Sequence, residues 1–105
     1  MSYRIYIGLP EDLENSKELF SFNKSQHEEL FFLLENSDIN YNWLSELKDY
    51  YEFMNYTFEE VKILMLEIQR ILENPILEQN IFLCCLLQAT KEVISKKLQL
   101  MCVGD

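Results

Sequence analysis

The sequence predicts an α+β domain that is mostly α, a compact bundle of about four helices with a short N-terminal strand and a short C-terminal strand. Three observations lead there. Two glycines and two prolines in 105 residues are too little turn punctuation for an all-β sandwich. The middle of the chain carries apolar residues at helical spacing, twice behind the spacing of a capping box. The N-terminal run is β-branched and aromatic and closed by a glycine, and the C-terminal run Leu98 to Val103 lacks helix-favouring charges. With 49% of its residues hydrophobic, the chain can build one core without a metal or disulfide staple. Residues 1–105 therefore read as a single domain, with an expected radius of gyration of about 13 Å.

The elements follow in order. Tyr3-Arg4-Ile5-Tyr6-Ile7 is a strand with Tyr3, Ile5 and Ile7 on one face, closed by Gly8 and Pro10. The acidic stretch from Glu11 to Glu18 suits a short helix or helical turn, with Pro10 near its start. Ser25 and Glu28 have capping-box spacing and open a helix through Leu30, Phe31, Phe32, Leu33 and Leu34, which stops near Asn36-Ser37-Asp38. From Tyr41 to Met54 a third helix is expected, because Trp43, Leu47, Tyr50 and Met54 share a helical face. Thr57 and Glu60 form the second capping box. Behind it Val61, Leu64, Met65, Ile68, Ile71 and Leu72 make the clearest amphipathic pattern in the chain, ended by Asn74-Pro75. Ile76 to Lys97 restarts the helix, and its run Ile81 to Leu87 is apolar all round, as in a helix covered on several sides. Leu98 to Val103 is a short strand able to pair with the first.

No catalytic motif stands out. The chain has one histidine and three cysteines, without the spacing of a zinc site. His27 is expected at an exposed or cap-adjacent position, since the positive end of a helix dipole disfavours its charged form. Cys84 and Cys85 are expected in an apolar helix interior, where a thiol is inert. Phosphate-cradling loops need more than Gly8 and Gly104. The expectation is a protein that is not an enzyme and takes no cofactor or metal. No apolar run is long enough to span a membrane, and no signal-peptide core follows Met1-Ser2-Tyr3-Arg4. Reduced, adjacent cysteines fit the cytoplasm.

Charge is the informative feature. Eighteen acidic and nine basic residues give a net charge of −9. Residues 1–60 hold 13 of the acids and 4 of the bases, whereas residues 61–105 hold 5 of each. Such a balance opposes direct nucleic-acid binding, which depends on cations that neutralise phosphates. It suits a basic protein partner, steered by carboxylates and anchored by aromatic rings. The expected partner-binding residues are Glu11, Asp12 and Glu14 in the early segment, and Glu46, Asp49, Tyr50 and Glu52 in the third helix.

In size, acidity and helix-rich outline the whole chain resembles a bacterial immunity protein of contact-dependent growth inhibition or polymorphic toxin systems. The resemblance includes its opening Tyr3-Arg4-Ile5-Tyr6-Ile7-Gly8 and its closing Leu100-Met101-Cys102-Val103-Gly104-Asp105. It rests on no diagnostic motif, so no site residues carry over by alignment. The resemblance implies a cytoplasmic protein that binds a cognate toxin domain and blocks its active site or substrate groove. Many such toxins are nucleases acting on tRNA or DNA, and a basic groove would match an acidic inhibitor. Two other readings stand beside it. One is an acidic mimic of nucleic acid that inhibits a DNA- or RNA-binding protein, the other a structural adaptor subunit that buries its apolar helices in an oligomer.

Overall fold

The fold is described from a computed structural model covering residues 2–104; Met1, Asp105 and the side chain of Leu13 lie outside the described residues. The expected bundle of about four helices is not what the chain forms. Three α-helices pack against a four-stranded antiparallel sheet. Strand β1 (Tyr3–Gly8) leads through a 3₁₀ segment (Pro10–Asn15) into β2 (Lys17–Phe22) and helix α1 (Lys24–Asn36). A 3₁₀ turn (Leu44–Leu47), strand β3 (Phe53–Tyr56), helices α2 (Phe58–Ile71) and α3 (Ile81–Lys96), and strand β4 (Gln99–Val103) complete the chain.

The sheet order is β2-β1-β4-β3. The two ends of the chain therefore form its centre, with Ile5 opposite Cys102 and Ile7 opposite Leu100. The two strands that local sequence patterns do not announce are the edges. Residues 17–22, of which only 17 and 18 belong to the stretch expected as a short helix, pair with β1 across a bulge at Ile5 and Tyr6 that leaves Leu19 without an opposite residue. Residues 53–56, the first two of which close the helix expected from Tyr41 to Met54, pair with β4, Tyr56 lying opposite Leu100. Both edges supply ladder hydrogen bonds that isolated terminal strands would lack, and a two-stranded ribbon is marginal by itself.

Alternation along the strands sends Tyr3, Ile5, Ile7, Phe22, Tyr56, Leu100 and Cys102 to one face. There they join Leu30, Phe31 and Leu34 of α1, Val61, Leu64, Ile68 and Ile71 of α2, and Phe82, Leu83, Leu86, Ala89 and Val93 of α3 in one core. α3 touches α1, α2 and the central strands, so it lies in the middle of the helix layer. It is nevertheless not covered all round: Ile81 and Cys84 are exposed and Cys85 is half-buried. Helix α3 begins at Ile81 instead of Ile76, because Asn80 Oδ1 accepts from the Leu83 amide (3.0 Å) and caps it. The radius of gyration is 12.9 Å.

Caps set the other boundaries. α1 is opened by Asn23 and Gln26, two residues before the expected pair: the Gln26 amide donates to Asn23 Oδ1 (2.8 Å) and the Asn23 amide to Gln26 Oε1 (2.9 Å). α2 carries the Thr57–Glu60 box, with the Thr57 amide donating to Glu60 Oε1 at 3.0 Å. α3 ends on Lys97 in the left-handed region (φ 56°), with the Lys97 and Leu98 amides both turned onto the Val93 carbonyl. That closure favours glycine, which has no Cβ to clash there. Lys97→Gly should therefore raise stability by about 1 kcal/mol, seen as a higher urea midpoint; an unchanged or lower midpoint would show that the lysine side chain offsets its backbone strain.

Candidate partner-binding face

The seven residues expected to bind a partner do not form one patch. Glu11, Asp12 and Glu14 lie in the 3₁₀ segment that follows Gly8, and Gly8 pairs with Gln99. Glu52 precedes Phe53, which pairs with Val103, itself opposite Arg4 at the other end of β1. Four residues of extended chain, about 13 Å, separate those ends. Nor does the segment 41–54 form the helix expected to display Glu46, Asp49, Tyr50 and Glu52 together. It is a loop, a 3₁₀ turn and an entry into β3.

Four side chains hold that segment and its entry in place. Glu67, a carboxylate on the flank of α2 and nearly buried, accepts from three successive amides: Asn42 and Trp43 at 3.0 Å and Leu44 at 2.8 Å. The Tyr56 hydroxyl donates to the Trp43 carbonyl (2.6 Å) and Arg70 Nη2 to the Asn40 carbonyl (2.8 Å). Farther along, the Leu47 carbonyl accepts from His27 Nε2 at 2.7 Å. This bond requires the proton on Nε2. His27 is the reverse of the exposed residue expected: it is 2% exposed and its ring lies among Tyr3, Phe31, Tyr50 and Phe82. Burial lowers its pKa below the ordinary value, opposed by the Leu47 carbonyl and by the charges of Glu28 and Asp49.

These anchors decide which side chains remain outside. Tyr50 is 4% exposed and belongs to the core, against Tyr3 and His27. It cannot serve as a surface anchor. Its neighbours can: Tyr51 is 56% and Phe53 51% exposed. Asp49 Oδ1 accepts from the Tyr51 amide (2.9 Å), and Lys24 Nζ donates to the Tyr51 hydroxyl (3.0 Å), so both the backbone and the hydroxyl of Tyr51 are held. Glu52 lies between the two rings, its carbonyl accepting from the Gly104 amide. A side chain at Gly104 would run into the Tyr50 carbonyl, which explains the glycine at this crossing. Glu28 of α1 pairs with Lys24 at 3.8 Å and extends the acidic edge.

Glu46 points elsewhere. It borders a cleft of about 200 Å³ with Asn42 and Trp43, and with Glu67 and Glu60 its charge raises the Tyr56 phenol, whose pKa is already pushed well up by burial. Among the described residues neither Asp49, Glu52 nor Glu46 forms an ion pair with a lysine or arginine, whereas Glu35 pairs with Lys48 and Glu92 with Lys96. The exposed residues of the stretch 49–53 are thus Asp49, Tyr51, Glu52 and Phe53, and Lys24 links Tyr51 to Glu28 of α1. A helical reading conceals Tyr51 and Phe53, because Tyr51 lies in the turn before β3 and Phe53 is the first residue of that strand.

Cys102 is buried, which pushes its thiol up to about 12. Cys84, expected in the interior, is exposed and near the Glu78 carbonyl (3.7 Å). No group of three or more His, Cys, Asp or Glu residues able to hold a metal occurs among the described residues. The cleft between the 3₁₀ segment and the end of α3, about 230 Å³, is lined by Ile7, Gly8, Asp12, Ser16, Lys17 and Lys96 among others. No helix among the described residues is long and apolar enough to cross a membrane. No protein-family model, curated protein or solved structure matches this chain.

Proposed function

We propose that this protein is an immunity protein that neutralises a cognate toxin domain by occupying its basic substrate groove or active site. The observation that carries the reading is the occurrence, within the short segment 49–53, of two carboxylates without a cationic partner among the described residues, Asp49 and Glu52, and two exposed rings, Tyr51 and Phe53. Carboxylates of this kind accelerate encounter with a positive surface, and aromatic rings that become buried slow dissociation. Lys24 already engages the Tyr51 hydroxyl and Asp49 the Tyr51 amide, so binding loses less entropy in ordering this residue. A standard contact needs about 800 Å² per partner. The chain exposes 5959 Å², so one contact would cover about an eighth of it. A nuclease groove, built to hold phosphates, supplies the complementary charge.

The test is capture of the protein encoded immediately upstream of this chain's gene, at low and at high salt. The proposal expects stoichiometric capture of a basic domain that weakens with salt, together with loss of that domain's nuclease activity. Broad capture of many nucleic-acid-binding proteins, with no preference for the neighbour, would overturn it in favour of a nucleic-acid mimic.

A further inference from the structure

We propose that the outward stripe of α2 is a self-association surface whose occupant is a second copy of this chain. Glu59, Ile63, Leu66 and Arg70 form the stripe; all four are exposed, Ile63 at 45% and Leu66 at 63%. With about 100° of rotation per residue, their directions fall within roughly 60° of one another. The core residues Val61, Leu64, Ile68 and Ile71 point roughly 150° away. Two large aliphatic side chains thus sit in line on the solvent side, flanked by one acid and one base.

The order of these residues selects the occupant. Acid, apolar, apolar and base follow one another at spacings of four, three and four, which read the same from either end. Two α2 helices packed antiparallel, with a two-fold axis passing between Leu64 and Met65, bring Ile63 opposite Leu66 of the second copy. The same operation brings Glu59 opposite Arg70. Every contact occurs twice, as an isologous interface requires, and the contact closes on itself. Alternating spacings of three and four are those of helix pairs that pack along a shared seam.

Local electrostatics permit this contact despite the strongly negative chain. The outer surface of α2 sets Glu59 against Lys62 and Arg70, with Glu73 in the turn that follows, and residues 61–105 carry no net charge. Among the described residues Glu59 pairs with Lys62, at 3.5 Å in an exposed pair that contributes little. Arg70 uses Nη2 on the Asn40 carbonyl, which fixes its guanidinium while leaving further N–H donors for a carboxylate. The loop that Glu67 anchors runs beside the stripe, and its Asn40, Tyr41 and Asn42 line a cleft of about 280 Å³ with Arg70. The surface is therefore ordered before association. At 14 residues the helix is about 21 Å long. That places the contact at the small end of specific interfaces, with an expected Kd in the micromolar range.

Sedimentation equilibrium of the full chain from about 1 μM to about 1 mM spans that range. The proposal expects a monomer–dimer equilibrium that Leu66→Glu weakens at least about tenfold, with far-UV circular dichroism and urea midpoint unchanged. Glu59→Arg and Arg70→Glu should each weaken the dimer, because each places like charges opposite one another. The double variant Glu59→Arg/Arg70→Glu should recover it, since the antiparallel register then pairs opposite charges again. A monomer at every concentration, a dimer indifferent to Leu66→Glu, or a double variant no tighter than the single ones would each overturn the proposal. None of these readouts depends on a toxin partner.

Discussion

Glu67→Gln is expected to lower the stability of the fold by about 3 kcal/mol, measured as a lower urea midpoint at unchanged slope. The carboxylate receives three amides within 3.0 Å. Hydrogen bonds to a charged acceptor contribute about 1.5–3 kcal/mol each, and water can replace only those at the surface. The Leu44 amide is buried with its partner, so it has no such substitute. Glutamine keeps one oxygen and turns an NH₂ group toward the remaining amides, donor against donor. The variant should also loosen the 42–44 loop, so its amides should exchange faster than those of α2. A loss below about 0.5 kcal/mol, within the range of ordinary surface substitutions, would show that Glu67 does not hold the loop.

Acidification below about pH 6.5 should reduce stability through His27. Its folded pKa lies below the unfolded value of about 6.5 because burial disfavours the imidazolium. Between the two values the unfolded chain binds a proton that the native state does not. The stabilisation is therefore complete above the unfolded value and declines as pH falls toward the folded one. The slope approaches about 1.4 kcal/mol per pH unit where the unfolded state is fully protonated and the native state is not. His27 is the chain's only histidine. The dependence between about pH 5 and pH 6.5 should consequently vanish in His27→Gln, whose amide can still donate toward the Leu47 carbonyl. If that slope persisted in the variant, the buried imidazole would not be its source.

Strong local signals make part of this architecture readable. The alternating β1, the Thr57–Glu60 box with the apolar stripe behind it, and the apolar β4 each declare their element over several residues. β2 does not: only Phe22 of its six residues is fully buried, so no alternation marks an edge strand of this composition. A helical reading of 41–54 fails because Trp43, Leu47, Tyr50 and Met54 all turn toward the core from unrelated conformations. What fixes that segment is remote. Glu67 lies about two dozen residues away, and sequence offers no sign that an acid on the flank of α2 will be buried. His27 escapes a local reading for the same reason, since its burial depends on Tyr3, Tyr50 and Phe82 arriving from three other parts of the chain.

The candidate face shows a similar division. The excess of acid in residues 1–60 is visible as a number, but its placement depends on sheet order. β1 runs between Glu11, Asp12 and Glu14 at one end and Asp49 and Glu52 at the other. Tyr50 and Tyr51 are adjacent in sequence, yet one is core and the other surface. Packing of Tyr50 against Tyr3 and His27, and hydrogen bonds of Asp49 and Lys24 to Tyr51, separate their roles.

The central claim is that a basic partner docks on the face of Asp49, Tyr51, Glu52 and Phe53. It is tested most directly by association kinetics with the basic domain encoded beside this chain, across a range of salt. Asp49→Lys/Glu52→Lys should slow association on the order of tenfold and flatten its salt dependence. Tyr51→Ala should instead speed dissociation, as loss of a buried anchor does. Lysines at Glu11, Asp12 and Glu14, at the far end of β1, should leave dissociation unchanged. If the Asp49/Glu52 and Tyr51 variants bind like the wild type while the distant trio abolishes binding, the partner docks at the other end of the sheet and the face around Tyr51 is not its site.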